Sequence, residues 1–539
     1  MNKVLLIIPK YNTENGNKKS YNYEMPIGLG YINAVLKKEG YDTNCLNLNH
    51  IDGPIKDIVE GELNKRDYSF VCTGDVGTGF PIIKKILDAV DTHITNPKII
   101  LGGSIVSSEP FFMMEHLKFD YGVIGEGELT IIDLLDSIKN NKDISKVKGI
   151  VYKDLNGKII ITSPRERIKD LDSLSFSDYN DFDLNEKLAN THANSSLVGT
   201  IDYPRTYLLI GSRGCPFQCT FCYHTVGYQY TTRSLKNIIQ EIEFAIDKYK
   251  INSFQLHDDL FSTNKKRLYD FCKEIKELNK RKKINLKWMC SLFVSTIDEE
   301  ILNILKDAGC LVISLGFESY SQEVLKSMKK NITPKQIDNA IKLCMKFKMP
   351  IIGNFIFGDI AETKETAKIT LDYWKKHCKD QIKLFFIHPY PGSEIYNHCI
   401  KKGLIKDKLD YFQNKIFHTF FMNMTNEMSD KEFEELKKEV YELKIKSGNY
   451  VIPFKVEQEK KNRYSLYVKC PFCKKTSAHK NNYIQTRFFY RFHIHCRNCG
   501  MRFHLVSKLY KFTMDYYFKL DFFRRNFLKY EGMFLRRNV

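Results

Sequence analysis

The chain has 539 residues, of which 43% are hydrophobic, and its formal net charge is +19 at pH 7. This length exceeds what one hydrophobic core supports, so we expect two or three domains. No apolar run approaches the roughly 20 residues that cross a bilayer, and the first residues, MNKVLLIIPKYN, lack the features of an export signal. We therefore expect a soluble, cytoplasmic protein.

Residues 1–145 alternate short apolar runs with amphipathic stretches, a pattern typical of a doubly wound, Rossmann-like α/β domain. In this fold the ligand lies at the carboxyl ends of the parallel strands. Glycines after strands also form tight turns, so the pattern alone indicates either turns or a binding edge. The residues at these predicted strand ends are Thr73, Gly74, Gly102, Gly103, Gly125 and Glu126.

Residues 146–200 begin with a hairpin signal at Asn156 and Gly157 and continue as a polar, non-periodic linker. In residues 201–425 six apolar runs alternate with helical patterns. This predicts a partial (β/α)6 barrel of parallel strands, similar to a TIM barrel, with its active site where the strands end. Residues 426–462 form a helical linker that opens with the capping-box sequence from Ser429 to Glu432.

Three cysteines, Cys215, Cys219 and Cys222, directly follow the first predicted strand of this barrel, in the sequence GSRGCPFQCTFC. Three thiolates on one short loop can bind three irons of a [4Fe-4S] cluster and leave the fourth iron without a protein ligand. A structural zinc site is the alternative, but such a site normally takes four ligands and no fourth lies nearby in the sequence. The motif therefore favours a cluster with one open iron.

This Cys-x3-Cys-x2-Cys motif, with an aromatic residue before its last cysteine, resembles that of the radical S-adenosylmethionine (SAM) superfamily. The resemblance implies an enzyme in which the three cysteines are catalytic, because their cluster cleaves SAM reductively to a 5′-deoxyadenosyl radical. Strand-end aspartates also cap helices, so that alternative stays open for two of the implied SAM contacts. The implied cofactor-binding residues are Phe221, Asp258, Asp259, Glu318, Ser319 and Gly358.

A doubly wound domain before such a barrel, with KIILGGSIVSSEP at 98–110 and DYGVIGEGELT at 120–130, resembles the cobalamin (B12)-binding subclass of this superfamily. The resemblance covers about residues 1–400 and implies that the glycine-rich strand ends hold cobalamin. The first loop, residues 9–27, has no histidine, and His50 follows the second strand instead. We therefore expect base-off cobalamin without a histidine ligand.

The resemblance further implies methylation of an unactivated carbon in a small-molecule, lipid or peptide substrate. Cyclisation or rearrangement of the substrate without net methyl transfer is the alternative that some members of the subclass suggest. The resemblance also implies a reductase or a flavodoxin-type protein as electron donor.

Residues 463–539 form a basic module that carries two Cys-x2-Cys knuckles, Cys470 with Cys473 and Cys496 with Cys499. Four thiolates in this arrangement predict a tetrahedral structural zinc site in a ribbon. From Val451 onward the chain has 20 Lys and Arg residues against 5 Asp and Glu residues, which makes an anionic partner possible.

A C-terminal helical segment at 508–537 interleaves aromatic with basic residues. Such a segment docks on the enzyme core or a protein partner, or binds RNA or an anionic membrane surface. The remaining hypotheses for function are a radical enzyme that modifies RNA or a peptide with the ribbon as guide, and a catalytically inactive nucleic-acid-binding protein.

Overall fold

The computed structural model describes residues 2–11, 18–195, 199–262, 264–378, 380–416 and 421–517. The chain divides into two compact units, each assembled from three separate stretches of sequence. The first unit comprises Met1–Lys187, Gly211–Asn237 and His388–Met422, and the second comprises Leu188–Ile210, Ile238–Ile387 and Asn423–Val539.

The N-terminal part of the chain is an α/β fold, as its hydrophobic pattern predicts. Its strands form a sheet of order β2-β1-β3-β4-β5-β6-β7, in which β1 to β5 are parallel and β6 and β7 antiparallel. In β1 (Lys3–Ile8), residues Val4 to Ile8 are all fully buried. Both faces of the sheet are therefore covered at this strand. The elements are β1 (Lys3–Ile8), α1 (Ile27–Lys38), β2 (Asp42–Asn47), α2 (Ile55–Leu63), β3 (Phe70–Gly74), α3 (Phe80–Asp91), β4 (Lys98–Gly102), α4 (Ser104–Ser108), α5 (Pro110–His116), β5 (Tyr121–Val123), α6 (Glu128–Lys139), β6 (Ile150–Lys153), β7 (Ile159–Ile161) and α7 (Leu184–Asn190).

A second series of strands and helices follows, again as predicted. Its sheet has the order β15-β14-β13-β12-β11-β8, and all five strand pairs are parallel. A capping box between Thr333 and Gln336 opens one of its helices. The elements are β8 (Thr206–Leu209), β9 (Ser212–Arg213), β10 (Thr231–Thr232), α8 (Leu235–Tyr249), β11 (Ser253–Leu256), α9 (Lys265–Lys282), β12 (Lys287–Leu292), α10 (Glu299–Asp307), β13 (Cys310–Glu318), α11 (Gln322–Ser327), α12 (Pro334–Lys346), β14 (Ile351–Phe357), α13 (Lys364–Tyr373), β15 (Lys383–Phe386), α14 (Glu394–Lys401) and α15 (Lys408–Asp410).

The C-terminal part consists of a long helix, two three-stranded sheets and a final helix. The capping box predicted at Ser429 and Glu432 is present at the start of the long helix. Of the segment 508–537, residues 518–537 lie outside the described part of the chain. The elements are α16 (Asp430–Ser447), β16 (Tyr450–Val451), β17 (Lys455–Lys460), β18 (Arg463–Lys469), β19 (Thr476–Tyr483), β20 (Arg491–His495), β21 (Arg502–Val506) and α17 (Lys508–Tyr517).

Among the described helices, none combines the length and the apolar character needed to cross a membrane.

Candidate functional site

The three cysteines of the Cys-x3-Cys-x2-Cys motif lie in a loop of the first unit, and the antiparallel pair of β9 and β10 closes the base of this loop. Cys215 and Cys219 are half-buried and Cys222 is exposed. The N–H of Cys222 donates to the carbonyl of Cys219 at 3.1 Å, so the chain turns tightly between these two residues. The loop therefore keeps three thiols accessible within eight residues of sequence.

The cysteines outside the two motifs lie in a different environment. Burial raises the pKa of the Cys72, Cys344 and Cys399 thiols to about 12. Such thiols stay protonated at neutral pH and bind metals poorly. Of these eight cysteines, Cys45 is half-buried and the other seven are buried, namely Cys72, Cys272, Cys290, Cys310, Cys344, Cys378 and Cys399.

A glycine with left-handed backbone precedes the first cysteine of the loop. Gly214 has φ +76°, and a Cβ at this position would lie 2.4 Å from the carbonyl oxygen of Gln229. Both the dihedral angle and the close approach of the two backbone segments require glycine here. Gly227, in the same loop, has φ +77° but no heavy atom within 4 Å of a Cβ.

Arg213 connects the base of this loop to the N-terminal end of α6. Its guanidinium donates to Glu126 Oε1 at 2.8 Å and to Glu128 Oε1 at 2.5 Å, and it lies 5.1 Å from the ring centre of Tyr31. The Arg213 side chain is 10% exposed and both glutamate side chains are 6% exposed. Burial alone would lower the pKa of the guanidinium, but the two carboxylates raise the pKa of Arg213 above its ordinary value.

Sequence reasoning missed Arg213 and predicted Glu126 as a cobalamin contact. In the structure the second oxygen of Glu126 accepts a hydrogen bond from the N–H of Ile168 at 2.8 Å, so both of its oxygens have partners within the protein. The position of Arg213, a charged residue directly before Gly214, could have marked it as a candidate. The sequence does not reveal its two partners, which lie 85 and 87 positions away.

The carboxyl ends of the strands in the first sheet contain both framework residues and open positions. Thr73 is buried and its hydroxyl donates to the carbonyl of Ile7 at 2.9 Å. A Cβ on Gly74 would lie 2.8 Å from the carbonyl oxygen of Gly102. Gly103 has φ +89°, and its Cβ would lie 2.4 Å from a backbone oxygen.

Two of the predicted glycines at this edge border open space. A Cβ on Gly102 or Gly125 would meet no heavy atom within 4 Å. The N–H of Gly125, which has φ +78°, donates to the hydroxyl of Ser107 at 3.0 Å. A neighbouring acid that sequence reasoning missed is Asp75, directly after β3, where burial raises the pKa of the carboxyl to about 7. A bulky ligand can thus approach the backbone closely at two strand ends of this sheet.

In the second unit, the residues predicted to contact SAM follow the strands of the parallel sheet. After β11, Asp258 is buried and Asp259 is exposed, as expected for neighbours in extended chain. Glu318 ends β13 with φ +61°, a left-handed conformation that is costly for a residue with a side chain. Its carboxylate accepts from Lys330 Nζ at 3.0 Å.

Ser319 and Gly358 occupy framework positions at the same strand ends. The Ser319 hydroxyl is buried, lies 3.2 Å from the Thr370 hydroxyl and accepts a bond from the N–H of Ser321. Gly358 follows β14 with φ +97°, and its N–H donates to Glu362 Oε2 at 2.6 Å. Burial raises the pKa of Glu362 to about 8, so this carboxyl is largely protonated at neutral pH.

The four cysteines of the C-terminal module come together. Cys470 Sγ lies 3.7 Å from Cys499 Sγ, and Cys473 Sγ lies 3.7 Å from Cys496 Sγ. All four sulfur atoms lie within 4.8 Å of one another. Tetrahedral Zn²⁺ with bonds of about 2.3 Å to sulfur spaces its ligands by a similar amount. The two knuckles thus form the closed four-thiolate group that their spacing predicts.

Comparison with protein families identifies two domains in this chain. Residues 209–373 match the radical SAM superfamily, and residues 17–135 match the B12 binding domain. The two matches confirm the resemblance that the cysteine motif and the glycine-rich strand ends indicate.

Known proteins resemble the chain over most of its length. An uncharacterized methyltransferase of Pyrococcus horikoshii is 28% identical over 75% of this chain and 84% of the relative. The anaerobic magnesium-protoporphyrin IX monomethyl ester cyclase of Rubrivivax gelatinosus is 25% identical over 76% of this chain and 71% of the relative. The solved structure of the radical SAM methyltransferase TsrM from Kitasatospora setae superposes with a TM-score of 0.60 at 19% identity, covering 75% of this chain and 77% of that one. The likeness to TsrM, at 19% sequence identity, is a likeness of fold alone.

Proposed function

Because this chain joins a B12-binding domain to a radical SAM domain, we propose that it is a cobalamin-dependent radical SAM methyltransferase that acts on an unactivated carbon. The observation that carries the proposal is the loop with three accessible thiols, Cys215, Cys219 and Cys222, in a chain that also matches both domain families. When bound, the [4Fe-4S] cluster supplies the electron that cleaves SAM, and cobalamin carries the methyl group.

The residues of the cysteine loop fit an iron-sulfur cluster. Three thiols in a glycine-bent loop match the ligand number that leaves one iron open, and thiolates are the ligands that such clusters take. Arg213 holds the start of this loop through two buried carboxylates, so the first ligand lies two residues from a fixed point. The protein's contribution is to keep the three sulfur atoms accessible and their loop in place.

The strand ends of the first sheet fit a large flat ligand such as a corrin. Gly102 and Gly125 leave open space where any larger residue would place a side chain. The sequence of residues 9–27 contains no histidine, which supports base-off cobalamin. We propose that these two glycines let the corrin approach the backbone, while Thr73, Gly74 and Gly103 shape the edge.

In the second unit, Asp258, Asp259, Glu318 and Gly358 are the proposed SAM contacts. Glu318 supports such a role best, because it ends a parallel strand with left-handed backbone and Lys330 holds its carboxylate at 3.0 Å. Ser319 and Glu362 would hold the backbone on either side in position, since both make bonds inside the protein.

The proposed activity is tested by replacing one cysteine inside the motif and one outside it. Cys222→Ala should lower the iron content after anaerobic reconstitution and abolish 5′-deoxyadenosine formation from SAM and a reductant. Cys45→Ala, the same chemical change at a half-buried cysteine of β2, should retain both. If Cys222→Ala keeps its iron and its 5′-deoxyadenosine production, the proposal is wrong.

A radical cyclase is the second candidate, and the similarity to the Rubrivivax cyclase favours it. SAM labelled in its methyl group separates the two: a methyltransferase transfers the label to the product, whereas a cyclase yields an unlabelled product and 5′-deoxyadenosine. For either reaction we propose a small-molecule substrate and a reductase or flavodoxin-type electron donor.

We further propose that the four-thiolate group binds structural zinc and that the basic module docks on its own unit. Arg502, at the start of β21, lies 3.2 Å from Asp380 and its backbone exchanges two hydrogen bonds with the Gln381 side chain. Tyr510 of α17 is fully buried. These internal contacts favour docking over a guide function for RNA, a peptide or a membrane, which salt-sensitive co-elution with RNA would support instead.

A further inference from the structure

A histidine and two carboxylates that belong to neither cysteine motif converge in the first unit. His50 ends the turn after β2, Asp183 directly precedes α7 with a left-handed φ of +55°, and Glu186 lies in the first turn of α7. One ligand atom from each of the three residues lies within 4.8 Å of the other two. The proposed radical reaction does not use this group.

The His50 ring is directed at the two carboxylates without bonding to them. Its side chain is 4% exposed, and its Nδ1 atom has no hydrogen-bond partner. The distance from Nδ1 to Glu186 Oε2 is 3.6 Å and to Asp183 Oδ2 is 4.0 Å. Hydrogen bonds between nitrogen and oxygen are about 2.7–3.2 Å long, so these gaps are too wide for direct bonds.

The same gaps suit an ion between the three atoms. A divalent transition metal binds nitrogen and carboxylate oxygen at about 2.0–2.2 Å, so two ligands of one ion lie at most about 4.4 Å apart. Both distances from Nδ1 fall within this limit. The Asp183 and Glu186 side chains are 58% and 46% exposed, so small rotations can complete the site and water can fill the remaining positions.

Contacts around the group orient its ligands in the way that metal sites require. The other ring nitrogen of His50, Nε2, lies 2.9 Å from the Tyr23 hydroxyl, which also accepts a bond from Asn47 at 2.7 Å. The Tyr21 hydroxyl donates to Glu186 Oε1 at 2.5 Å and leaves Oε2 facing the histidine. Such outer contacts fix the ring and carboxylate orientation of metal ligands.

We propose that His50, Asp183 and Glu186 bind a divalent transition-metal ion, which fastens the start of α7 to the end of β2. A mixed set of one imidazole and two carboxylates suits Zn²⁺, Mn²⁺ or Fe²⁺. The ion is structural with respect to the proposed radical chemistry, because its ligands are separate from the cysteine loop in sequence and belong to different elements. The ion joins the start of α7, which lies in the segment before β8, to the Rossmann-like sheet.

The test uses full-length protein and Mn²⁺ as the probe, because the thiolate groups prefer softer metals. Electron paramagnetic resonance of free Mn²⁺ measures binding to wild type, to Asp183→Asn/Glu186→Gln and to Asp57→Asn/Glu115→Gln. The last variant removes two exposed carboxylates elsewhere in the first unit. Wild type and this control should bind one Mn²⁺ at least about tenfold more tightly than the ligand variant.

Thermal unfolding supplies a second readout, since an ion that binds the folded state raises the melting temperature. Mn²⁺ should raise the melting temperature of wild type and the control but not that of the ligand variant. Equal Mn²⁺ affinity in all three proteins would overturn the proposal and indicate that water bridges the group. Because the ligand variant keeps Cys215, Cys219 and Cys222, loss of Mn²⁺ binding is independent of the proposed catalytic function.

Discussion

Replacement of Gly214 by alanine should disrupt the cysteine loop far more than the same replacement at Gly227. Both glycines have nearly the same left-handed φ, +76° and +77°, so both variants incur the roughly 1–2 kcal/mol that an L-residue pays there. At Gly214 alone, the new methyl would lie 2.4 Å from the Gln229 carbonyl oxygen, whereas ordinary contact begins at 3.4 Å.

Relief of that overlap requires the two backbone segments to separate by about 1 Å, because the obstacle is a backbone carbonyl and not a flexible side chain. Gly214 precedes the first proposed cluster ligand directly, so the shift moves Cys215 relative to the other two cysteines. A displacement of this size at a reaction centre can cost about 10²-fold in rate. We therefore expect Gly214→Ala to lose most of its 5′-deoxyadenosine formation.

The assay compares iron content, cluster absorbance and 5′-deoxyadenosine formation in Gly214→Ala, Gly227→Ala and wild type after identical anaerobic reconstitution. Gly227→Ala should stay within a few-fold of wild type in all three, because its methyl enters open space. Circular dichroism checks that both variants fold. If the two variants have equal activity, contact with the Gln229 carbonyl does not determine the position of the loop and the reasoning is refuted.

Three further predictions concern stability and metal content. Arg213→Met leaves the buried Glu128 without its cation and leaves Glu126 only the more distant Arg167, at 3.9 Å. It should lower the unfolding free energy in urea by about 3–5 kcal/mol, whereas Lys84→Met, at an ion pair whose side chains are 40% exposed, should cost less than about 1 kcal/mol. Burial raises the pKa of Glu362 from its ordinary 4.5 to about 8, so the folded state holds an extra proton between these values and stability falls as pH rises through this window. Glu362→Gln cannot ionise and should show a smaller decline of the urea midpoint from pH 5 to 8. An equal decline in the variant and the wild type would contradict this. Cys473→Ser should remove one equivalent of zinc and leave the iron unchanged by elemental analysis, and zinc retention equal to wild type would exclude the four-thiolate site.

The architecture was predictable because local sequence patterns determine it. The alternation of apolar runs and amphipathic stretches predicts both parallel sheets, and the Asn156-Gly157 signal predicts the β6–β7 hairpin, in which Gly157 has φ +78°. The capping box at Ser429 predicts the first turn of α16. Each of these signals depends on neighbours within a few residues, and so one sequence contains the whole signal.

Candidate sites could be predicted from the sequence only where their residues lie close together in it. The two cysteine motifs meet that condition, since each knuckle or loop carries its own spacing. His50 and Glu186 lie 136 positions apart, and no local pattern shows that the end of β2 and the start of α7 meet. Glu126 was predicted as a cofactor contact because it follows a strand-end glycine, but the pairing with Arg213 depends on a packing contact that sequence spacing does not encode.

The pairing of Arg213 with Glu126 and Glu128 is one of the contacts between the cysteine loop and the Rossmann-like part of the same compact unit. Glu128 is the first residue of α6, where a negative charge also interacts favourably with the helix dipole. Arg213 is held there two residues before Cys215, and Gly125, two residues after β5, lies three residues before Glu128. A short chain of fixed residues therefore links Cys215, the first proposed cluster ligand, to the open glycine edge of the sheet. A reaction that needs both cofactors to act on one substrate requires such a fixed link, because small errors in their separation are costly to the rate.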